Sequence, residues 1–374
     1  MNVNDGLYYK IALSMIPGIG PVLARRMVSF TGSVEGVFKE GRARLLKIPN
    51  VGEHVVTALG DRRIFERVDR ELAFIDRYGI RPCFYLDSDY PGRLRNCEDA
   101  PVMLYIKGDP DIEGQKVLSI VGTRRATDRG LDLCRELVAD LAKTGEKVVI
   151  VSGLAYGIDI CAHRAALDHG MPTVAVLGHG LDTIYPSVHR RVAAEIADAG
   201  ALVSEFSSQT AFVRGNFISR NRIIAGLGDA TVVVESGEKG GALITADIAN
   251  SYNREVFAFP GRVDDPRSKG CNQLIKNSKA SLIEDAGDLG YVMGWEITRQ
   301  RRKMVQRRLF DELEGMQKKI VDLLREHEEL SIDDIGFRCQ NPISKVSPLL
   351  LDLEFKGIVR SLPGNRYKLS PNGK

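Results

Sequence analysis

Over the middle of the chain, apolar and polar positions alternate between two patterns. Short apolar runs lie near 117–121, 147–151, 173–177, 201–204, 230–234 and 255–258, and each ends abruptly in small or polar residues. Runs this short and continuous predict strands buried on both faces, as in a parallel sheet. Between them, near 129–143, 159–169, 188–199, 220–227, 242–252 and 272–277, apolar residues recur at the spacing of helices with one face in a core. Regular alternation of the two predicts an α/β fold, a Rossmann-like, doubly wound and mainly parallel sheet with right-handed connections. Ala100 to Gly108 adds a strand entering this domain, and Gly108-Asp109-Pro110 turns the chain toward Val117.

The flanks carry other patterns. Residues 7–30 read as helix, turn and helix around Ile16-Pro17-Gly18-Ile19-Gly20, and the turn recurs at Ile48-Pro49-Asn50-Val51-Gly52. Both resemble helix-hairpin-helix (SAM-like) motifs. Their glycines suit either backbone contact with a phosphate or plain packing, and the residues leave both readings open. A charged helix, Arg62 to Tyr78, closes this region. Residues 297–308 (ITRQRRKMVQRR) read as a basic linker. From Met316 onward the order is helix, short helix, helix and two short strands around Pro363-Gly364-Asn365, which suits a winged helix. Its third helix sets Lys345 and Lys356 against Asp352 and Glu354, without the basic excess of a groove reader, so a protein-contact or regulatory module is expected there. The expected division is 1–79 helical, 80–295 Rossmann-like, 296–310 linker and 311–374 winged helix.

Charge changes this picture only when divided along the chain. The formal net charge is +3, yet residues 80–295 hold 24 basic and 28 acidic side chains. A net-negative domain with arginines and lysines at its strand exits points to a focused anion site rather than a basic surface. No apolar run reaches membrane-spanning length and no secretory leader is evident, so a cytoplasmic protein without membrane contact is expected. The six cysteines form no C-x-x-C pair, and Cys134 and Cys161 read as buried thiols on helix faces. Neither a metal nor a cofactor is expected.

Ligands of open α/β sheets bind outside the carboxyl ends of the strands. Here those ends read Gly122-Thr123-Arg124, Ser152-Gly153-Leu154-Ala155-Tyr156-Gly157, Gly178-His179-Gly180-Leu181-Asp182, Arg220-Asn221-Arg222 at the end of a long loop, Glu235-Ser236-Gly237-Glu238-Lys239, and Pro260-Gly261. Glycines at helix starts expose N–H groups, and the helix dipole favours phosphate there. Arg124, Arg220, Arg222 and Lys239 on one edge ask for a phosphate chain or polyanion, or else pair with Asp159, Asp182 or Glu235 to hold the loops. Phe212, Phe217 and Tyr185 are candidates to stack a base, or core residues. Neither G-x-x-x-x-G-K-[ST] nor G-x-G-x-x-G follows the first strand, which disfavours a nucleotide-driven motor and ordinary dinucleotide binding.

These motifs, with Tyr90-Pro91, Ala100-Pro101, Tyr185-Pro186 and the run Arg220 to Leu227, resemble the DNA processing protein A family (DprA, also called Smf) over almost the whole chain. The resemblance implies a non-enzymatic, cytoplasmic protein that binds single-stranded DNA and helps load a RecA-type recombinase onto it, as in natural transformation, and a homodimer formed through the Rossmann-like domain. It maps a positive pocket onto Arg124, Arg220, Asn221, Arg222 and Lys239. Backbone N–H groups of Gly122, Ser152, Gly153 and Gly237 complete a phosphate cradle, and Thr123 and Ser236 lie in the same motifs. The chain departs from the family pattern at Gly240, near His189 and at Ser278-Lys279, where the family carries serine, asparagine and a glycine–alanine pair. Two alternatives stand beside this reading. One is a nucleotide-monophosphate hydrolase using Glu235 or Asp247 as its acid, although P-G-G-x-G-T-x-x-E is absent. The other is an adaptor acting mainly through protein contacts.

Overall fold

The computed structural model describes residues 3–109, 111–297, 315–327 and 329–370. The basic linker expected over 296–310 lies outside them from residue 298 on. The described residues form two compact units, one ending at Ile297 and one beginning at Gly315.

The first unit opens with six helices: α1 (Val3–Met15), α2 (Pro21–Thr31), α3 (Val34–Lys39), α4 (Arg42–Leu45), α5 (Glu53–Leu59) and α6 (Arg62–Tyr78). Proline in the first turn starts α2 after Gly20. Asp61 caps α6 and Gly79 ends it at φ 59°, a left-handed position glycine takes without a Cβ penalty. The apolar faces close on Ile11, Met27, Val55 and Val68, and the same cluster runs on into Met103 and Tyr105 of the sheet. The helices therefore share a core with the sheet.

The sheet unit continues β1 (Arg81–Phe84), α7 (Gly92–Arg95), β2 (Met103–Gly108), β3 (Lys116–Val121), α8 (Asp128–Lys143), β4 (Val148–Ser152), α9 (Ile158–Asp168), β5 (Thr173–Leu177), α10 (Arg190–Ala199), β6 (Ala201–Ser204), α11 (Arg214–Ser219), α12 (Asn221–Leu227), β7 (Ala230–Val233), α13 (Gly241–Ser251), β8 (Glu255–Ala258), α14 (Lys269–Lys276), β9 (Ser281–Leu282) and α15 (Ala286–Met293). Its nine strands run in the order β1-β2-β6-β5-β4-β3-β7-β8-β9. From β6 to β9 every pair is parallel, while β1–β2 and β2–β6 are antiparallel. The β4 and β5 residues are all buried, which is what their unbroken apolar runs require.

The turn after Gly108 does lead to β3, but β2 itself lies beside β6, on the far side of β5 and β4. Gly108 permits this pairing, because a Cβ there would sit 2.2 Å from Gly200 O and 2.5 Å from Ala197 O. Ser278, one of the departures from the family pattern, takes φ 55°, a region that glycine enters more readily.

The second unit holds α16 (Gly315–Glu326), β10 (Leu330–Ser331), α17 (Ile332–Cys339), α18 (Ile343–Phe355), β11 (Val359–Leu362) and β12 (Arg366–Leu369). Its three strands pair in the order β10-β12-β11 over a core of Ile320, Ile335, Val346, Leu350 and Leu353. This is a winged helix, and β10 is the strand its pattern of two residues had not disclosed. All six cysteines are buried free thiols.

Candidate functional site

In the parallel part of the sheet the chain runs from β3 outward to β4, β5 and β6, then returns to β7 on the other side of β3. The connections reverse direction between β3 and β7, and a crevice opens at such a reversal. Thr123 N–H donates to Glu235 O at 2.8 Å, tying the two exits together. Gly122 lies against α9, where a Cβ would come within 2.4 Å of Ile158 Cγ1. Gly157, at φ 77°, allows the next loop to pass so close that a Cβ would stand 2.2 Å from Thr123 O. Side chains would push these loops apart, so the glycines set the shape of the edge.

Beneath this edge Glu235 is buried and accepts from Thr127 N (3.1 Å) and Thr127 Oγ1 (2.7 Å), while Thr127 Oγ1 accepts from Gly130 N and caps α8. Its carboxylate is thus spent on holding the first turn of α8. Asp247, the other acid of the hydrolase alternative, is an exposed partner of Lys279 Nζ at 2.8 Å. Ser236 is buried and its carbonyl accepts from Gly270 N at 2.8 Å; Gly237 faces Pro266. Arg124 and Lys239 extend above, exposed, and neither makes an ion pair or side-chain hydrogen bond among the described residues. Two cations without partners therefore end adjacent strands.

The exits of β4 and β5 are built differently. Ser152 is buried and donates to Ile120 O at 2.6 Å. Leu154 takes φ 59° inside the fold, and His189 Nδ1 lies 2.8 Å from its carbonyl. Arg220 is buried, donating to Gly153 O at 2.6 Å and also to Val176 O. Gly153 leaves the room for this, since a Cβ there would be 2.1 Å from Arg220 Nη1. Burial pulls the Arg220 pKa down to about 10, against the opposing charge of Asp159. Burial also pushes the Asp159 carboxyl up, while Arg220 pulls it back. Arg222 forms an ion pair with Glu205, both largely buried, and burial raises Glu205 despite that partner. Asn221 Nδ2 donates to Gly241 O at 3.3 Å. Arg220, Arg222 and Asn221 thus brace the loops from within, and their polar groups are directed to the protein. Of the two readings open for these arginines, contact with a ligand or holding the loops, these bonds serve the second.

At the exits of β5 and β6 four aromatic rings meet. Phe212 stacks on His179 at 5.1 Å with an interplanar angle of 23°, and Tyr185 lies 5.9 Å from Phe212 and 5.7 Å from Phe217. Tyr185 and Phe212 are each 50% exposed, half in the cluster and half in solvent. His179 Nδ1 lies 2.9 Å from Gly180 O, and its Nε2 accepts from Tyr185 N at 3.3 Å, an arrangement of the neutral ring. Burial lowers its pKa accordingly. Arg214, exposed at the start of α11 between the two phenylalanines, also has no ion pair among the described residues. The sequence singles out His179 only as part of its strand-exit motif, and Arg214 not at all. Only their places in the same two loops as Tyr185, Phe212 and Phe217 point to them.

Adjacent strands are ~4.8 Å apart, so the aromatic cluster begins about 10 Å from the Arg124 exit. One edge presents cations, then a row of glycines, then rings. Such an edge can hold a phosphate chain and stack flat apolar groups without reading a sequence.

Comparison with known proteins gives a consistent result. Residues 81–293 match the family described as DNA recombination-mediator protein A, residues 308–365 the DprA winged helix domain, and residues 10–59 a SAM-like helix-hairpin-helix tandem. Protein Smf of Synechocystis sp. is 34% identical, over 98% of this chain and 99% of its own length. The X-ray structure of DNA processing protein A from Streptococcus pneumoniae superposes with a TM-score of 0.59 at 29% identity, covering 77% of this chain and 98% of that one. DNA processing protein A from Helicobacter pylori, described for its single-stranded DNA binding mode, superposes with a TM-score of 0.52 at 29% identity, covering 58% of this chain and 96% of that one. From its helical N-terminal region through the parallel sheet to the winged helix, the chain belongs to the DNA recombination-mediator protein A (DprA/Smf) family.

Proposed function

We propose that this protein binds single-stranded DNA along the strand-exit edge and acts without catalysing a reaction. Phosphates lie against Arg124 and Lys239 and the glycine loops around Gly122, Thr123, Ser152, Gly153, Ser236 and Gly237, while Arg220, Asn221 and Arg222 hold those loops in place. Bases stack on the exposed faces of Phe212 and Tyr185. The observation that carries this reading is the pair of exposed cations at the reversal point, neither in an ion pair among the described residues, next to a half-exposed aromatic surface. A relative described for single-stranded DNA binding supports it. Within this reading the protein works in the cytoplasm as a homodimer and hands the strand to a RecA-type recombinase during DNA uptake.

Fluorescence anisotropy with a labelled oligonucleotide and its duplex, over a salt series, tests the reading. Preference for the single strand is expected, with a log–log salt slope of roughly −0.7 per phosphate neutralised. Equal binding of the duplex, or full binding by Arg124→Ala and Lys239→Ala, contradicts it. Recombinase loading is tested separately, by filament assembly on a strand already coated with a single-strand binding protein, with and without this chain.

A further inference from the structure

A buried polar contact joins the helical N-terminal region to the site, beside the apolar packing of its core against Leu181. Glu71 on α6 has a side chain only 1% exposed and accepts from Ser208 N at 3.0 Å with each carboxylate oxygen, and from Ser208 Oγ at 2.6 Å. Arg67, one turn earlier, donates to Glu71 Oε2 at 3.3 Å and to the Ser208 carbonyl. All three polar groups of Ser208 are thus held by a helix more than 130 positions away in sequence. Ser208 lies in the loop between β6 and α11, four residues before Phe212, and the loop rests on Gly180, where a Cβ would be 2.4 Å from Ser207 O. The hairpin arginines, meanwhile, are bonded to the protein's own backbone: Arg25 donates to the carbonyls of Cys97, Glu98 and Ala100, and Arg26, though exposed, to that of Pro49. Of the two readings left open for the hairpins, packing is the one these bonds serve.

We propose that Glu71, with Arg67, is a positioning residue for the base-stacking side of the site, and that the N-terminal helices act on single-stranded DNA through it rather than by touching the strand. A buried carboxylate with three donors converging on it holds one geometry, because each lost bond leaves a charge unsatisfied away from water. Holding Ser208 limits where Phe212 can lie against His179. The inference rests on the reading that Phe212 stacks a base.

The test uses the full chain with Glu71→Ala and Glu71→Gln, and two labelled strands of equal length, one ordinary and one abasic. For folded variants the expected result is a roughly tenfold loss of affinity for the ordinary strand, the scale of one lost stacking contact. Abasic binding and salt slope stay unchanged, and the 2-aminopurine signal of a labelled strand falls as it does in Phe212→Ala. Variants that bind both strands like the wild type, or lose both equally, overturn the proposal. If the wild type itself binds both strands equally, the stacking reading fails, whatever Glu71 does. Should neither variant fold, hydrogen exchange of the wild type decides. Protection of the Ser208 amide matching that of α6 is expected, and free exchange of residues 206–212 refutes the brace.

Discussion

At the exits of β3 and β7 Arg124 and Lys239 stand in solvent, while at the exits of β4, β5 and β6 Arg220 and Arg222 are closed inside the fold. The surroundings account for the difference. Arg124 and Lys239 make no ion pair among the described residues: Glu235 is occupied by Thr127, and Asp159, on which Arg124 also acts, is buried. Arg220 and Arg222 each face an acid that is itself buried, Asp159 and Glu205. A buried carboxylate needs a counter-charge and hydrogen bonds, so the arginine within reach is drawn in and ceases to be a ligand group. The two halves of one edge thus divide the work. The first offers charge from Arg124 and Lys239, and the second offers rings, with Arg214 exposed beside them, on a scaffold that Arg220 and Arg222 hold together.

The largest expected effect attacks the second half. Arg222→Ala leaves Glu205 buried without its partner and should cost about 3–5 kcal/mol in a urea melt, and Arg220→Ala should fall in the same range. Arg124→Ala should stay within about 0.5 kcal/mol of wild type, as surface changes do. If all three variants melt alike, the division between buried and exposed cations fails. Next in size, Arg124→Ala combined with Lys239→Ala should weaken single-strand binding about a hundredfold at low salt, with a slope shallower by about 1.4. A smaller loss with an unchanged slope would remove the phosphate side from this edge.

Phe212→Ala should cost about tenfold in affinity on ordinary strands and little on abasic ones, with the salt slope unaltered. A changed slope would merge the two halves into one.

A pH dependence sharpens the buried side. His163 is fully buried, and because Thr173 Oγ1 donates to Ile150 O, His163 Nδ1 donates to Thr173 Oγ1 at 2.8 Å. Burial pulls its pKa down to about 3. Below pH ~6.5 the unfolded chain takes up a proton that the folded ring refuses, so stability present above that pH is lost as pH falls toward about 3. The slope is up to about 1.4 kcal/mol per pH unit. Thermal melts at pH 7, 6 and 5 should show this fall, and His163→Gln should flatten it by one proton's worth.

Sequence alone determined the order of the parallel strands β3 to β8 with most of their helices, the winged helix and the loops at which a site would lie, though not β1, β9, β10 or α11. Buried parallel strands need unbroken apolar runs and their helices need one apolar face, and both are local patterns of residues 117–258. The family motifs are likewise short and contiguous. Tertiary structure decided the rest. It set β2 beside β6, because a short strand such as Met103–Gly108 pairs with whatever edge the folded sheet leaves open. It chose which cations remain in solvent, since Arg220 is held by the carbonyls of Gly153 and Val176 and faces the charge of Asp159, none of them its neighbours in sequence. It also joined Glu71 to Ser208, a contact without any local pattern. A side chain's type states what it can bind, and burial by distant segments decides whether that capacity is turned toward the protein or left for a ligand.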